Sequence, residues 1–163
     1  MDLPAHTLQT RPDAGDQLAI VDALYRFAAG QDLRERSLFE SAFSEHATLD
    51  FTAPAWRLGA GIPVFEGRHA IAETMFAALD ALDTTHTVSN PRVTAFDGRH
   101  ATLTALVEAQ HLPRSDHRRH LLLKHICQVE LWRHGALWQI TRMQLDMVWF
   151  DGDPTVLFPV PGG

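Results

Sequence analysis

The chain reads as an α+β domain: a cone-shaped barrel made by a strongly curved antiparallel sheet, with N-terminal helices enclosing a pocket. Three observations predict it. Apolar residues recur at helical spacing in the first half, and from Thr84 the period changes to two. Helices followed by a run of long strands argue for α+β over doubly wound α/β. Asp97-Gly98, flanked by alternating segments, is a strong hairpin signal, because a type I′ turn needs positive φ at both central residues.

Residues 1–12 are polar, carry Pro4 and Pro12, and form an N-terminal arm to a domain over 13–150. A first helix starts near Asp13 or Asp16, either of which can cap it. Leu18, Val21, Leu24, Tyr25 and Ala28 make its apolar face. A short helix over 33–43 turns Leu38, Phe39 and Phe43 inward. Residues 47–52 alternate as a strand, and 53–63, with two prolines and two glycines, is a loop. A short strand fits 64–66. A helix over 68–82 aligns Ile71, Met75, Ala78, Leu79 and Leu82. Four strands follow at 85–96, 99–112, 119–133 and 137–149. The tail, 151–163, holds three prolines and three glycines and is expected to be extended.

With 163 residues, 45% hydrophobic and 21% charged, the chain suffices for one domain with a real core. A formal net charge of −6 is no match for nucleic acid or an anionic membrane. The basic cluster from Arg114 to Arg119, with His117 and His120, reads as a solvated hairpin tip. Cys127 stands alone within an apolar strand, so it reads as a packed thiol in a reducing compartment. No apolar run is long enough to span a bilayer, and no signal-peptide pattern opens the chain, so a cytoplasmic protein is expected.

His86 and His111 lie on the two arms of the hairpin. If Asp97 and Gly98 are the loop, Phe96 faces Arg99 and His86 faces Ala109. His111 is then one diagonal step away on the same face, where Cβ atoms are about 7–8 Å apart. Two imidazoles at that spacing can hold one small molecule. Ala105 and Ala109 leave room above the sheet. Asn90-Pro91 predicts a bulge, since proline has no N–H to donate to the ladder.

These residues, in this order, resemble the SnoaL-like branch of the nuclear-transport-factor-2-like superfamily, and within it the scytalone-dehydratase-like proteins. The resemblance covers roughly 19–150. It rests on Asp32 at the end of the first helix, Phe43 to Phe51, Gly67, Thr85-His86 with Asn90, Asp97-Gly98, Ala109-Gln-His111, and Trp132 to Trp138 around Gly135. It implies a catalytic set of Asp32, His86 and His111, the first two paired. The tyrosines of the dehydratase relatives fall here on Gln31 and Phe51, and a further polar position on Phe27. Gln31 can still donate a hydrogen bond. With Trp56, Phe65, Asn90 and Gln128, Gln31 and Phe51 make up the expected substrate-binding set.

The chemistry stands on the residue types as well. Imidazole has an unperturbed pKa near 6.5 and exchanges protons at neutral pH. A carboxylate bonded to one ring nitrogen fixes the tautomer and stabilises the imidazolium. The expected function is therefore a lyase: dehydration, elimination or cyclisation of a small hydrophobic hydroxy-ketone or polyketide-like substrate. Isomerisation or hydrolysis in the same pocket, and a non-catalytic small-molecule-binding or interaction domain, are the alternatives. His117, His120 and His125, or His86, His111 and Asp32, are the metal sets the sequence offers; proton transfer is the preferred reading of the latter. No metal or cofactor is expected. A homodimer through the outer sheet face is, because the strands carry more aromatic surface than one helical layer covers.

Overall fold

The computed structural model describes residues 11–159; the arm expected over 1–12 lies largely outside the described residues. Helix α1 (Ala14–Asp32) begins where the Asp13 side chain accepts from the Asp16 N–H at 2.8 Å. It is followed by α2 (Arg36–Ser41), β1 (Phe43–Asp50), α3 (Thr52–Arg57), β2 (Phe65–Glu66) and α4 (Arg68–Leu79). Four long strands complete the domain: β3 (Leu82–Phe96), β4 (His100–Pro113), β5 (Leu121–His134) and β6 (Leu137–Gly152). The fold is α+β, with the N-terminal helices set against a curved six-stranded sheet that does not close. The order is β2-β1-β6-β5-β4-β3, and β1 runs parallel to β6 while every other pair is antiparallel.

The inner face of α1 is Ile20, Val21, Leu24 and Phe27, all buried, with Gln31 continuing the stripe. Leu18 and Tyr25, expected on that face, are exposed, because the buried stripe is rotated toward Ile20 and Phe27. Phe27, Phe39 and Phe43 form an aromatic knot, with ring centroids 5.2 to 5.9 Å apart. Each such ring contributes about 1.5–3 kcal/mol by leaving water. Phe43 belongs to β1, not to the second helix, and part of the expected loop after β1 is helix α3.

The β3–β4 register arrives by compensation. Phe96 pairs with Ala101 rather than Arg99, since the turn is two residues longer than a tight hairpin. Register shifts between Ser89 and Arg92 and between Val93 and Ala95 absorb the excess, and His86 still faces Ala109. Asn90 sits in the first shift with φ at 51°. The bulge expected at Asn90-Pro91 is therefore present.

The tail is not extended. Asp153 caps a 3₁₀ turn over Pro154–Val156, accepting from the Thr155 N–H at 2.9 Å and its hydroxyl at 2.6 Å. Burial of Val156 folds the segment back, against a cluster that includes Leu121 and Leu123. The basic tip is exposed and neutralised locally: Arg114 and His117 meet Asp83, Arg118 meets Asp116 and Arg119 meets Asp153. Among the described residues no helix is long and apolar enough to cross a membrane.

Gly30 marks the closest approach of α1 to α2. A Cβ there would lie 2.5 Å from the Phe39 backbone nitrogen and 2.6 Å from its Cα. Helix propensity alone favours alanine by about 1 kcal/mol, but a backbone clash cannot be relieved by a rotamer change. Gly30→Ala is expected to lower stability by about 2 kcal/mol in urea unfolding. A gain would show that the two helices separate freely.

Candidate functional site

Helix α1 ends at Asp32, beside the start of edge strand β3. Its last turn is held by Arg34, whose φ of 57° reverses the chain. The Arg34 guanidinium donates to the carbonyls of Gln31, Leu79 and Leu82 and to Thr84 Oγ1. Thr84 Oγ1 in turn donates to Asp32 Oδ1 at 2.9 Å. The same carboxylate meets His86 twice: Oδ1 lies 2.6 Å from Nδ1, and Oδ2 accepts the His86 backbone N–H at 2.7 Å. Burial pushes the Asp32 carboxyl up, but the His86 ring and backbone and the Thr84 hydroxyl together bring it below its ordinary value. As a carboxylate, Asp32 can only accept, so His86 carries a proton on Nδ1 and has Nε2 free of this contact.

The His86 ring lines a cavity of about 150 Å³ between the sheet and the helices. His111 is edge-on to it, with ring centroids 5.9 Å apart and an interplanar angle of 86°. The ring is buried, and its Nδ1 donates to the Leu121 carbonyl at 3.2 Å. Burial, and then the nearby His86 charge, push its pKa down to about 4. At neutral pH His111 is therefore uncharged, and with Nδ1 donating it presents an acceptor at Nε2.

His125 is the third histidine of the lining. It faces Val107 on β4, is buried, and its Nδ1 has no partner. Burial and the His86 charge depress it to about 4. Phe51 packs edge-on against it at 5.5 Å. Gln31 also lines the cavity, but its amide N–H donates to the Phe27 carbonyl at 3.1 Å, leaving Oε1 buried and unpartnered. Phe51 and Phe65 line the cavity, together with Met75 and Leu79 of α4. Leu157 and Phe158 of the folded-back tail also line it.

Three expected binding residues lie elsewhere. Trp56, on α3, is 78% exposed and not part of the lining. Asn90 is carried outward by the bulge, exposed to solvent. Gln128 has the opposite parity to His125 on β5 and points out of the sheet toward Asp146. Conversely, His125 is missed when it is read beside His117 and His120 as a metal candidate. Its parity with Leu123 and Cys127, both buried, is the signal that places it inside. Among the described residues no group of three or more histidine, cysteine or acidic side chains is arranged to hold a metal ion.

The family model for the SnoaL-like domain matches residues 12–144. The chain belongs to that family. Among curated proteins, this SnoaL-like domain is 30% identical over 162 residues to terrestric acid biosynthesis cluster protein E of Penicillium crustosum, covering 94% of this chain and 96% of the relative. Among solved structures it is similar to a candidate aromatic ring hydroxylase of Novosphingobium aromaticivorans, with 21% identity, a TM-score of 0.78, and coverage of 90% of this chain and 99% of that one. A candidate scytalone dehydratase of the same organism gives 18% identity and a TM-score of 0.70, covering 84% and 87%. At these identities the structural likenesses establish the nuclear-transport-factor-2-like fold.

Both buried imidazoles have a folded pKa near 4 against an unfolded value near 6.5. The unfolded chain then binds more protons between those values, so stability is complete above pH 6.5 and falls as pH drops toward 4. Each ring accounts for a loss on the order of 3 kcal/mol across that window. The lowered Asp32 pKa adds a loss at still lower pH, in the same direction. Urea midpoints measured from pH 7.5 to 4.5 should fall continuously, and His125→Leu should flatten the slope by nearly half.

Proposed function

We propose that this domain is a lyase-type acid/base enzyme whose catalytic pair is Asp32 and His86. The substrate is a small, largely apolar hydroxy-ketone or polyketide-like molecule. The observation that carries the reading is the 2.6 Å contact between the Asp32 carboxylate and Nδ1 of a histidine whose ring lines a largely apolar cavity. Family membership and a relative named for a biosynthetic cluster support it. So does the fold shared with a candidate scytalone dehydratase.

In this reading, His86 Nε2 removes a proton from the carbon next to the substrate carbonyl, and Asp32 stabilises the imidazolium that forms. The electron pair becomes a carbon–carbon double bond as the β-hydroxyl departs. The proton on His86 Nε2 passes to that hydroxyl, so one water leaves and the ring returns to its starting state. His111 Nε2 accepts from a substrate hydroxyl and orients it. The apolar walls keep bulk water from the proton in transit. The same pair serves elimination of another leaving group or a proton-driven cyclisation.

Water loss from a panel of β-hydroxy-ketones, followed by absorbance of the conjugated product, tests the reaction. His86→Ala is expected to cut turnover by about 10²–10⁴-fold with substrate affinity little changed. Asp32→Asn should also lose most turnover, because the charge that supports the imidazolium is gone. Unaltered turnover in His86→Ala would dismiss the pair. Absence of any turnover, with normal ligand binding by the Asp32→Ala, His86→Ala double variant, would make the domain a binding module.

We also propose a homodimer through the outer sheet face. Leu106 and Ile126 face each other across β4 and β5, and both are exposed, as are Val148 and Trp149 of β6. Light scattering at high micromolar concentration should report twice the chain mass, and Ile126→Asp should return the monomer.

A further inference from the structure

Apart from His125 and the exposed Thr74, the polar groups of the cavity lining turn acceptors toward it. The Phe27 carbonyl can only accept, so the Gln31 amide must face it with Nε2, and the buried free end is the oxygen. The Leu121 carbonyl likewise can only accept, so His111 carries its proton on Nδ1 and presents a lone pair at Nε2. The Asp32 carboxylate occupies Nδ1 of His86, so a ligand can meet that ring only at Nε2. Gln31 Oε1 and His111 Nε2 are thus two acceptors at a space about the size that holds one benzene ring. Among the described residues no lysine or arginine lines that space, and Asp32 lies behind His86. His125 alone among the three imidazoles has an Nδ1 with no partner, so it is free to adopt the tautomer a ligand requires.

A buried acceptor left unpaired costs about 1–3 kcal/mol. A ligand hydroxyl that donates to it removes that cost; an ether or an alkyl group in the same place does not. A carboxylate ligand would bring a second negative charge beside Asp32, with neither lysine nor arginine among the described lining residues to meet it.

We propose that the cavity selects a neutral, single-ring ligand bearing two or more hydroxyl groups. Two of them donate to Gln31 Oε1 and His111 Nε2, and His125 donates to a further ligand oxygen. This names the substrate class within the reading above and rests on that reading only in taking the cavity for the reaction site. Gln31 and His125 then act as specificity-determining residues. The discrimination follows from chemistry: a site built to pair a hydroxyl rejects the analogue lacking it far more strongly than an apolar wall rejects an extra methylene.

Equilibrium binding to the full chain at pH 7.5, by titration calorimetry or ligand-observed NMR, tests this with defined probes. 1,3-Dihydroxybenzene should bind at least tenfold more tightly than 1,3-dimethoxybenzene, and benzoate should show no saturable binding. 1,3,5-Trihydroxybenzene should bind more tightly than the diol, an advantage lost in His125→Leu. Gln31→Leu should weaken the diol about tenfold and leave toluene binding unchanged, toluene serving as the control for an intact cavity. The ranking of probes on the unaltered protein needs no variant to fold. Equal affinity for the dimethyl ether, tighter binding of benzoate, or no saturable binding of the diol overturns the proposal. These are binding equilibria, so their failure is separate from failure of the Asp32–His86 pair, which is read in turnover.

Discussion

The carboxylate of Asp32 is the constraint on which the rest of this structure turns. Strand β3 is an edge of the sheet, with unpaired backbone groups on its outer side. At His86 the outward N–H is taken by Asp32 Oδ2, so the end of α1 acts as a short stand-in for a missing strand. The other oxygen holds the imidazole of the same residue. One side chain thus joins helix to sheet, covers an edge donor and fixes a tautomer. Charge-assisted bonds of this kind are roughly twice as strong as neutral ones. Arg34 supports the arrangement from behind by tying the ends of α1 and α4 to the start of β3. Its left-handed backbone, which costs about 1–2 kcal/mol in a residue with a Cβ, is offset by those carbonyl contacts.

The electrostatic design of the cavity follows from the same constraint. Three imidazoles converge, yet only His86 has a carboxylate to balance a positive charge. His111 and His125 are held neutral by burial and by the charge that His86 can carry. Of the three rings, His86 alone has a counter-charge in contact, and Asp32 supplies it. Phe27 packs edge-on against the His86 ring at 6.4 Å, so the aromatic knot between α1, α2 and β1 also steadies the imidazole.

Much of this was legible in the residues and some of it was not, for physical reasons. Periodicity located every long strand and the two longest helices, because burial on one face imposes the period. The facing of His86 and Ala109 was legible even though the turn was misjudged. The Asn90-Pro91 bulge, which proline announces, and a second shift near Thr94 together cancel the longer turn. The rotation of α1 was not legible, because Leu18 and Tyr25 are as apolar as the residues that displaced them; only the position of the partner helix decides. Nor was the folded-back tail, where glycine and proline suggest extension while Asp153 supplies a cap that only the returning chain makes useful. His125 was hidden by its histidine neighbours, and Gln128 was placed inside by a one-residue uncertainty in strand parity.

The parallel contact of β1 with β6 has a consequence for the order in which the molecule assembles. Leu49 pairs with Met143, about ninety residues away along the chain, whereas β3 through β6 are joined by successive hairpins. Loop-closure entropy favours the local pairings first. The wall of the cavity carrying the three histidines therefore forms early, on a meander that nucleates from its own turns. The opposite wall, which brings Leu49 and Phe51, docks late and carries the kinetic barrier. Slow steps in refolding belong to docking of that wall rather than to construction of the face that carries the histidines.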